Sequence, residues 1–471
     1  MAPTRLNRVA WAVALVAVFV VAVWARWRLL PVASALGDAV GPWWVAARGD
    51  SFATPHAPPY GLLLAVPYRL IMVFADSLWQ ATSALLVLHA AIAPLATWAA
   101  RRMGGGLPAA VLVGLAAALD PGLLDTAASG AEGYLAPVWV CAALVAFLGE
   151  RPRPLLGGLA LVAAVHNHPL ALAALPLIAV LPTPRIAAWA GLGLLPLIPH
   201  LVGLFGQPVG VGDGTPHVPT EAVVGWVVGE GRAAILVGLA LVWGLVQRPT
   251  RRLSGAVLAG GLLLVMVGGA VGYLRDHHLR LLLVPALVGL AAPWPWRRAP
   301  LAVLGLAVFL VVPTDPVQRA HQARRPGTHG LLEAVTRSVQ AVPERPLVVD
   351  GAWISSSPAV EPGAVLLDLH LRGASAEDLS TGGAVAVVVS AERPDLAALP
   401  PGLSEVHRGD RHVVLLGEES EVTRWLGELC QGLASDGAPP PRAGGAFDGL
   451  IPLHPNLEAA RVQAWWTGCE I

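Results

Sequence analysis

Apolar runs recur along the chain from the N-terminus to about Pro313, separated by short polar or Pro-rich stretches, and a soluble domain has no use for that much lipid-compatible surface. The first run, residues 9–24, follows Arg5 and Arg8. It reads as an uncleaved anchor, because Trp24, Arg26 and Trp27 stand where the small residues of a signal cleavage site belong. Further spans are expected at residues 78–100, 107–119, 134–148, 155–165, 170–181, 186–205, 233–246, 253–273, 281–292 and 300–312. The pattern is that of an α-helical polytopic membrane protein with about eleven crossings, several of them shorter than the roughly 20 residues a full span wants.

Charge decides the topology. If residues 155–181 form two short helices hinged at His166–Pro169 (HNHP), then Arg5, Arg8, Arg101, Arg102, Arg151, Arg153, Arg185, Arg248, Arg251, Arg252, Arg297 and Arg298 all fall on one side, which the positive-inside rule makes cytoplasmic. One long helix would put those from Arg185 onward outside. The two-helix choice also sends nearly all loop carboxylates outward, leaving Glu150 alone inside. The chemically equipped face is therefore the outer one.

After residue 312 the composition shifts. Residues 1–317 form the expected membrane domain and residues 318–471 an extracytoplasmic α/β domain, in which runs at 346–350, 364–369, 384–390 and 412–417 read as strands and 419–433 as a helix. Residues 435–446 are rich in Pro and Gly and read as irregular.

Composition adds little beyond class. Apolar residues make up 55% and charged ones 13%, and the formal net charge is zero, which offers no attraction to nucleic acid. The chain has no Lys, so every basic side chain is Arg. Of three cysteines, Cys141 falls in a span, while Cys430 and Cys469 fall in the outer domain, where pairing and two free thiols are both open.

The richest stretch lies between the first two spans, residues 26–76, crowded with Pro and Trp. Residues 60–74, interrupted by Pro67, suit either a helix lying flat on the outer leaflet or a buried hairpin. Trp43 and Trp44 read first as interfacial anchors. Arg275, His277, His278 and Arg280 cluster at the outer end of a span, where charge is costly and Arg offers a fork for phosphate; snorkelling is the plain alternative. His166 and His168 read as hydrogen-bonding groups at the hinge. No HxxxH or HExxH spacing occurs, so no cofactor is expected and a divalent metal is left open.

Gly37-Asp38, the AAR of Ala46–Arg48 and the PPYGLL of Pro58–Leu63 together resemble the GT-C superfamily of membrane glycosyltransferases. In particular it resembles the bacterial branch related to protein mannosyltransferases and to the aminoarabinose transferase of lipid A. The likeness continues through DPGLLDTAASG (120–130), HNHPLALAALPL (166–177), RDHHLRLLLVPAL (275–287) and the outer α/β domain, in that order and spacing. The resemblance implies transfer of a sugar from a polyprenyl-phosphate donor to an acceptor outside the cytoplasm, in a bacterial inner membrane. It also implies Asp38 as the catalytic base, at the acidic position of the family's first outer loop. Where the family often has a second acid, this chain has Ala39; Asp50 or Asp125 is the candidate to fill that place, while Asp120, followed by Pro121, reads better as a helix-ending turn. Expected partners are the sugar donor and membrane lipids. Two other readings stay open: a flippase or transporter of lipid-linked saccharide, and a silent scaffold that binds prenyl lipid.

Overall fold

The computed structural model describes residues 5–30, 43, 46, 62–129, 135–206, 238, 241–242, 244–248, 250–271 and 276–291. In the C-terminal region it describes 347–350, 368, 371–372, 384–390, 399, 401–408, 412–418, 421 and 424–425. The chain divides into two compact units: Met1–Leu30, Ser51–Val66 and Leu85–His321 in one; Pro31–Asp50, Pro67–Ala84 and Gln322–Ile471 in the other.

The first unit is helical, and the helices Leu62–Met72 and Leu78–Ala90 each lie partly in the second unit. Helix α1 (Arg5–Trp27) turns Val9, Val13, Val16, Val20 and Trp24 outward and packs Val18 and Ala22 into a core with Ala90, Ala93 and Ala118. Helix α2 is Leu62–Met72. The span expected at 78–100 is found as two helices, α3 (Leu78–Ala90) and α4 (Ile92–Arg102). Pro94 explains the break, since it has no N–H to donate and its ring crowds the carbonyl four residues earlier, that of Ala90. Taken together, Leu78–Arg102 is long and apolar enough to cross a membrane, as is Asn7–Trp27.

Helices α5 (Leu107–Leu119), α6 (Pro121–Ser129), α7 (Ala136–Phe147) and α8 (Pro154–Asn167) follow. The apolar helices among these are each shorter than a full crossing. The break expected at HNHP is present: α8 ends at Asn167, and His168 starts a 3₁₀ segment, Pro169–Val180, where an α-helix was expected. Its Pro169 and Pro176 remove two of the donors that an α-helix would use. The run at 186–205 is likewise divided, into α9 (Pro184–Gly193) and α10 (Leu197–Gly206), with Pro196 in the turn between them. Helix α11 (Arg251–Val271), a 3₁₀ segment (Asp276–Leu282) and α12 (Leu283–Leu290) complete the described part of this unit.

Close helix contacts rest on small residues. A Cβ on Gly158 would lie 2.3 Å from the Ala190 carbonyl oxygen, and one on Gly193 would lie 2.6 Å from that of Leu155, so α8 and α9 meet backbone to backbone. Gly260 of α11 does the same against Ala173 of the 3₁₀ segment, at 2.2 Å.

In the second unit a four-stranded sheet runs in the order β1-β2-β4-β3, from β1 (Leu347–Asp350), β2 (Ala384–Ser390), β3 (Leu403–Arg408) and β4 (His412–Glu418). β1 and β2 are parallel and the other pairs antiparallel, with a bulge between Glu405 and His407. Three of the four expected strands are present. At 364–369 the described residue, Asp368, is helical instead, and β3 was not expected. Asp368 is buried; its Oδ1 accepts from the Leu78 N–H at 2.5 Å and its Oδ2 from Arg372 Nε at 2.9 Å. A carboxylate 290 residues away in sequence thus satisfies one of the free amides of the first turn of α3, within the unit that also holds residues 67–84.

Gly158→Leu is expected to force α8 and α9 apart and lower the thermal unfolding temperature in detergent, by the equivalent of about 1–3 kcal/mol for overpacking. Gly191→Leu, on α9 where nothing lies within 4 Å of the added atom, is expected to leave it unchanged.

Candidate active site

The junction of α5 and α6 carries a group of buried polar side chains. Asp120 precedes Pro121, whose ring disfavours helical backbone on the residue before it, and Asp120 adopts φ −58° and ψ 122°. That ends α5. The same residue starts α6, because its Oδ1 accepts the Leu123 N–H at 2.7 Å while Pro121 sits at the first helical position. Asp120 is fully buried. Burial raises its carboxyl above the usual range; the Arg280 charge, the Leu123 N–H, the Arg26 charge and the Gly122 N–H pull the other way.

Arg280, on the second 3₁₀ segment, is also buried. Its Nη1 donates to the Gly122 carbonyl at 2.6 Å and to Thr126 Oγ1 at 3.3 Å, and the Thr126 hydroxyl donates to the same carbonyl at 2.9 Å. The guanidinium lies so close to the chain that a Cβ on Gly122 would stand 2.0 Å from Arg280 Nε, so only glycine fits there. Arg280 therefore does not reach along the membrane surface; it closes on the first turn of α6.

Arg26 approaches from the end of α1. Its Nε donates to His89 Nδ1 at 2.8 Å, and its Nη1 donates to the carbonyls of Ala22 and Ala118, each at 3.1 Å. An imidazole nitrogen that accepts from guanidinium carries no proton, so His89 is held as the tautomer protonated at Nε2. Read from the sequence, Arg26 was only the charge after the anchor and His89 only a residue within a span. The available signal was a polar side chain in an apolar run, which needs a partner.

The histidines pair at the hinge. His166 Nδ1 accepts from the Leu63 N–H at 3.3 Å and its ring stacks on His200 at 4.4 Å. His168 Nδ1 accepts from the Leu170 N–H at 3.2 Å, and its ring lies 4.8 Å from that of His278, also buried. Among the described residues no group of three or more His, Cys, Asp or Glu could hold a metal ion.

Of the expected site residues, His278 and Arg280 are thus buried among α6, α8 and the 3₁₀ segments, with Asp120 alongside Arg280. Asp38, Asp50 and Arg275 lie outside the described residues, as do Cys430 and Cys469. Asp125 falls on α6 and His277 on the second 3₁₀ segment, with side chains outside the described set. Trp43 is buried edge-on against Tyr68, ring centroids 4.7 Å apart, which makes it a packing residue and not an exposed membrane anchor.

In sequence the chain matches no family model and no curated protein. In structure it is similar to ArnT from Cupriavidus metallidurans bound to undecaprenyl phosphate, with a TM-score of 0.53 and 14% identity over 87% of this chain and 98% of that one. The same protein in the apo state matches with a TM-score of 0.52 and 14% identity, over 88% of this chain and 99% of the other. The fold is ArnT-like. At this identity the likeness establishes the backbone plan, and the arrangement of Asp120, Arg26 and Arg280 described above belongs to this chain's own residues.

A pair of substitutions separates the two roles of Asp120. Asp120→Asn keeps the cap, because Asn caps as well as Asp, and removes only the ionisable group. Asp120→Ala removes both. Thermal unfolding in detergent is expected to leave the Asn variant close to wild type and to place the Ala variant below both, losing about 1 kcal/mol for the cap.

Proposed function

We propose that the protein is a glycosyltransferase that moves a sugar from a polyprenyl-phosphate donor to an extracytoplasmic lipid, glycan or protein. The observation that carries this reading is the likeness in fold, over 87% of the chain, to a protein crystallised with undecaprenyl phosphate. The Arg asymmetry of the loops supports it, since it turns the carboxylate-rich loops and the sheet-bearing region outward, with the N-terminus cytoplasmic and about eleven crossings of a bacterial cytoplasmic membrane.

In this reading Asp38 takes the proton of an acceptor hydroxyl. The freed oxygen attacks the anomeric carbon, the bond from that carbon to the phosphate oxygen breaks, and polyprenyl phosphate departs with the electron pair. Asp50 or Asp125 fills the place of the second acid that Ala39 lacks. The leaving phosphate gathers negative charge, which Arg275, His277, His278 and Arg280 are placed in sequence to offset from one segment. Arg280 contributes its charge from a fixed position, because the Gly122 carbonyl and Thr126 hydroxyl already hold its guanidinium. A buried cation held in this way needs no reorganisation when charge develops.

Asp38→Asn is expected to yield a folded, membrane-inserted protein with transfer reduced about 10²–10⁴-fold, measured with a polyprenyl-phosphate sugar. The amide keeps shape and capping ability but takes up no proton at neutral pH. Wild-type turnover in this variant would move the base to Asp50 or Asp125. Reporter fusions after Arg102, Arg185, Arg252 and at the C-terminus are expected to report inside, inside, inside and outside.

A further inference from the structure

One arginine ties the end of α4 to the turn that joins α7 (Ala136–Phe147) to α8 (Pro154–Asn167). Arg102 Nε donates to the Leu148 carbonyl at 2.5 Å, and its Nη2 donates to the Arg151 carbonyl at 3.0 Å. The guanidinium lies so near the turn that a Cβ on Gly149 would stand 3.0 Å from both nitrogens, and Gly149 has a φ of 93°, which suits glycine. The turn is also closed from within, by the Arg153 N–H on the Ala146 carbonyl at 2.7 Å. Arg102 is therefore fixed in orientation by carbonyls and not by a carboxylate, so its positive charge is left whole.

The same place gathers more charge of that sign. Residues 101, 102, 151 and 153 are all Arg, against the single carboxylate of Glu150. None of the ion pairs among the described residues involves any of these five side chains. Arg101 is occupied in another way, with its guanidinium 4.5 Å from the Trp11 ring centroid and 5.1 Å from that of Trp98. Arg153 is exposed and close enough to Arg102 for the two like charges to act on each other. A fold that holds two guanidiniums together without a counter-charge leaves a place for an anion, and a fixed guanidinium fork matches the oxygens of phosphate.

What adjoins the two arginines narrows the choice of anion. Helix α8 starts beside Arg153, and its Leu155, Leu156 and Leu159 are exposed. At 100° per residue these three fall within an arc of about 100°, an apolar strip that begins at the cation pair. A free phosphate has no use for the strip. A phospholipid uses both parts.

We propose that Arg102 and Arg153, at the α7–α8 turn, bind the phosphate of an anionic phospholipid whose acyl chain lies along Leu155, Leu156 and Leu159. A zwitterionic lipid such as phosphatidylcholine is held less well, because its choline brings a positive charge to the same two arginines. The Arg asymmetry of the loops assigns the site to the cytoplasmic leaflet. The proposal needs the chain to be membrane-embedded; it does not depend on sugar transfer, and it stands or falls separately from Asp38.

The test uses the full-length protein reconstituted in phosphatidylcholine vesicles that contain a trace of phosphatidylglycerol carrying a nitroxide on one acyl chain. The fraction of label with restricted motion reports lipid held on the protein, and labelled phosphatidylcholine gives the reference. The wild-type chain is expected to prefer phosphatidylglycerol, and Arg102→Gln and Arg153→Gln each to lower that preference about fivefold, the factor for one arginine at an anionic surface. Arg248→Gln, at another exposed arginine expected on the same side of the membrane, is expected to leave the preference unchanged. Because Arg102→Gln also unties the turn, the decisive variant is Arg153→Gln, whose side chain donates none of the described hydrogen bonds. Wild-type preference in Arg153→Gln would overturn the proposal, as would no preference for phosphatidylglycerol in the wild-type chain. An equal loss in Arg248→Gln would overturn it by showing a diffuse charge effect. Displacement of the labelled lipid by inorganic phosphate, beyond that caused by chloride at the same ionic strength, would overturn it by making the ligand a free anion.

Discussion

The described part of the first unit turns on one buried carboxylate. Asp120 ends one helix, begins the next and faces the positive charge of Arg280 and Arg26. Burial raises the Asp120 carboxyl while the charges of Arg280 and Arg26 pull it back, and guanidinium donors of the two arginines go to carbonyls of Ala22, Ala118 and Gly122. The result is a tie among elements far apart in sequence: the end of α1, the α5–α6 junction, His89 of α3 and the 3₁₀ segment carrying Arg280. Gly122 belongs to the same constraint, because the guanidinium occupies the space a side chain would need.

That arrangement bears on chemistry as well as stability. Under the proposed function Arg280 would meet the departing phosphate with its orientation already settled, because two acceptors on α6 hold it. The neighbouring histidines are paired in the same spirit, His168 with His278 and His166 with His200, so that the hinge after α8 is a packed polar layer within an apolar bundle.

Much of the helical part was legible in the sequence because apolar run length needs no knowledge of partners. Expected spans at 107–119, 134–148, 155–165 and 253–273 correspond to α5, α7, α8 and α11, and the break at HNHP follows from Pro169. What was not legible depended on prolines inside runs and on distant partners. Pro94 and Pro196 divide runs that hydropathy alone treats as continuous. The buried pairing of Arg26 with His89 spans 63 residues, and the capping of α3 by Asp368 spans 290, distances over which residue spacing carries no information. β3 escaped because LSEVHR has a weak alternation beside the stronger HVVLLG run it pairs with. At the candidate site, the turn reading of Asp120 agrees with its place between α5 and α6, while the hydrogen bonds of Arg26 and Arg280 to carbonyls far away in the chain are not readable from residue spacing.

The account's central claim is sugar transfer from a polyprenyl-phosphate donor, and it is tested most directly by mass analysis of lipid-linked sugars and envelope glycans in cells with and without this protein. Loss of the protein is predicted to raise the level of one polyprenyl-phosphate sugar and to remove that sugar from one envelope acceptor, with both changes reversed by the wild-type chain. Identical lipid-linked and acceptor profiles in the two strains would contradict it.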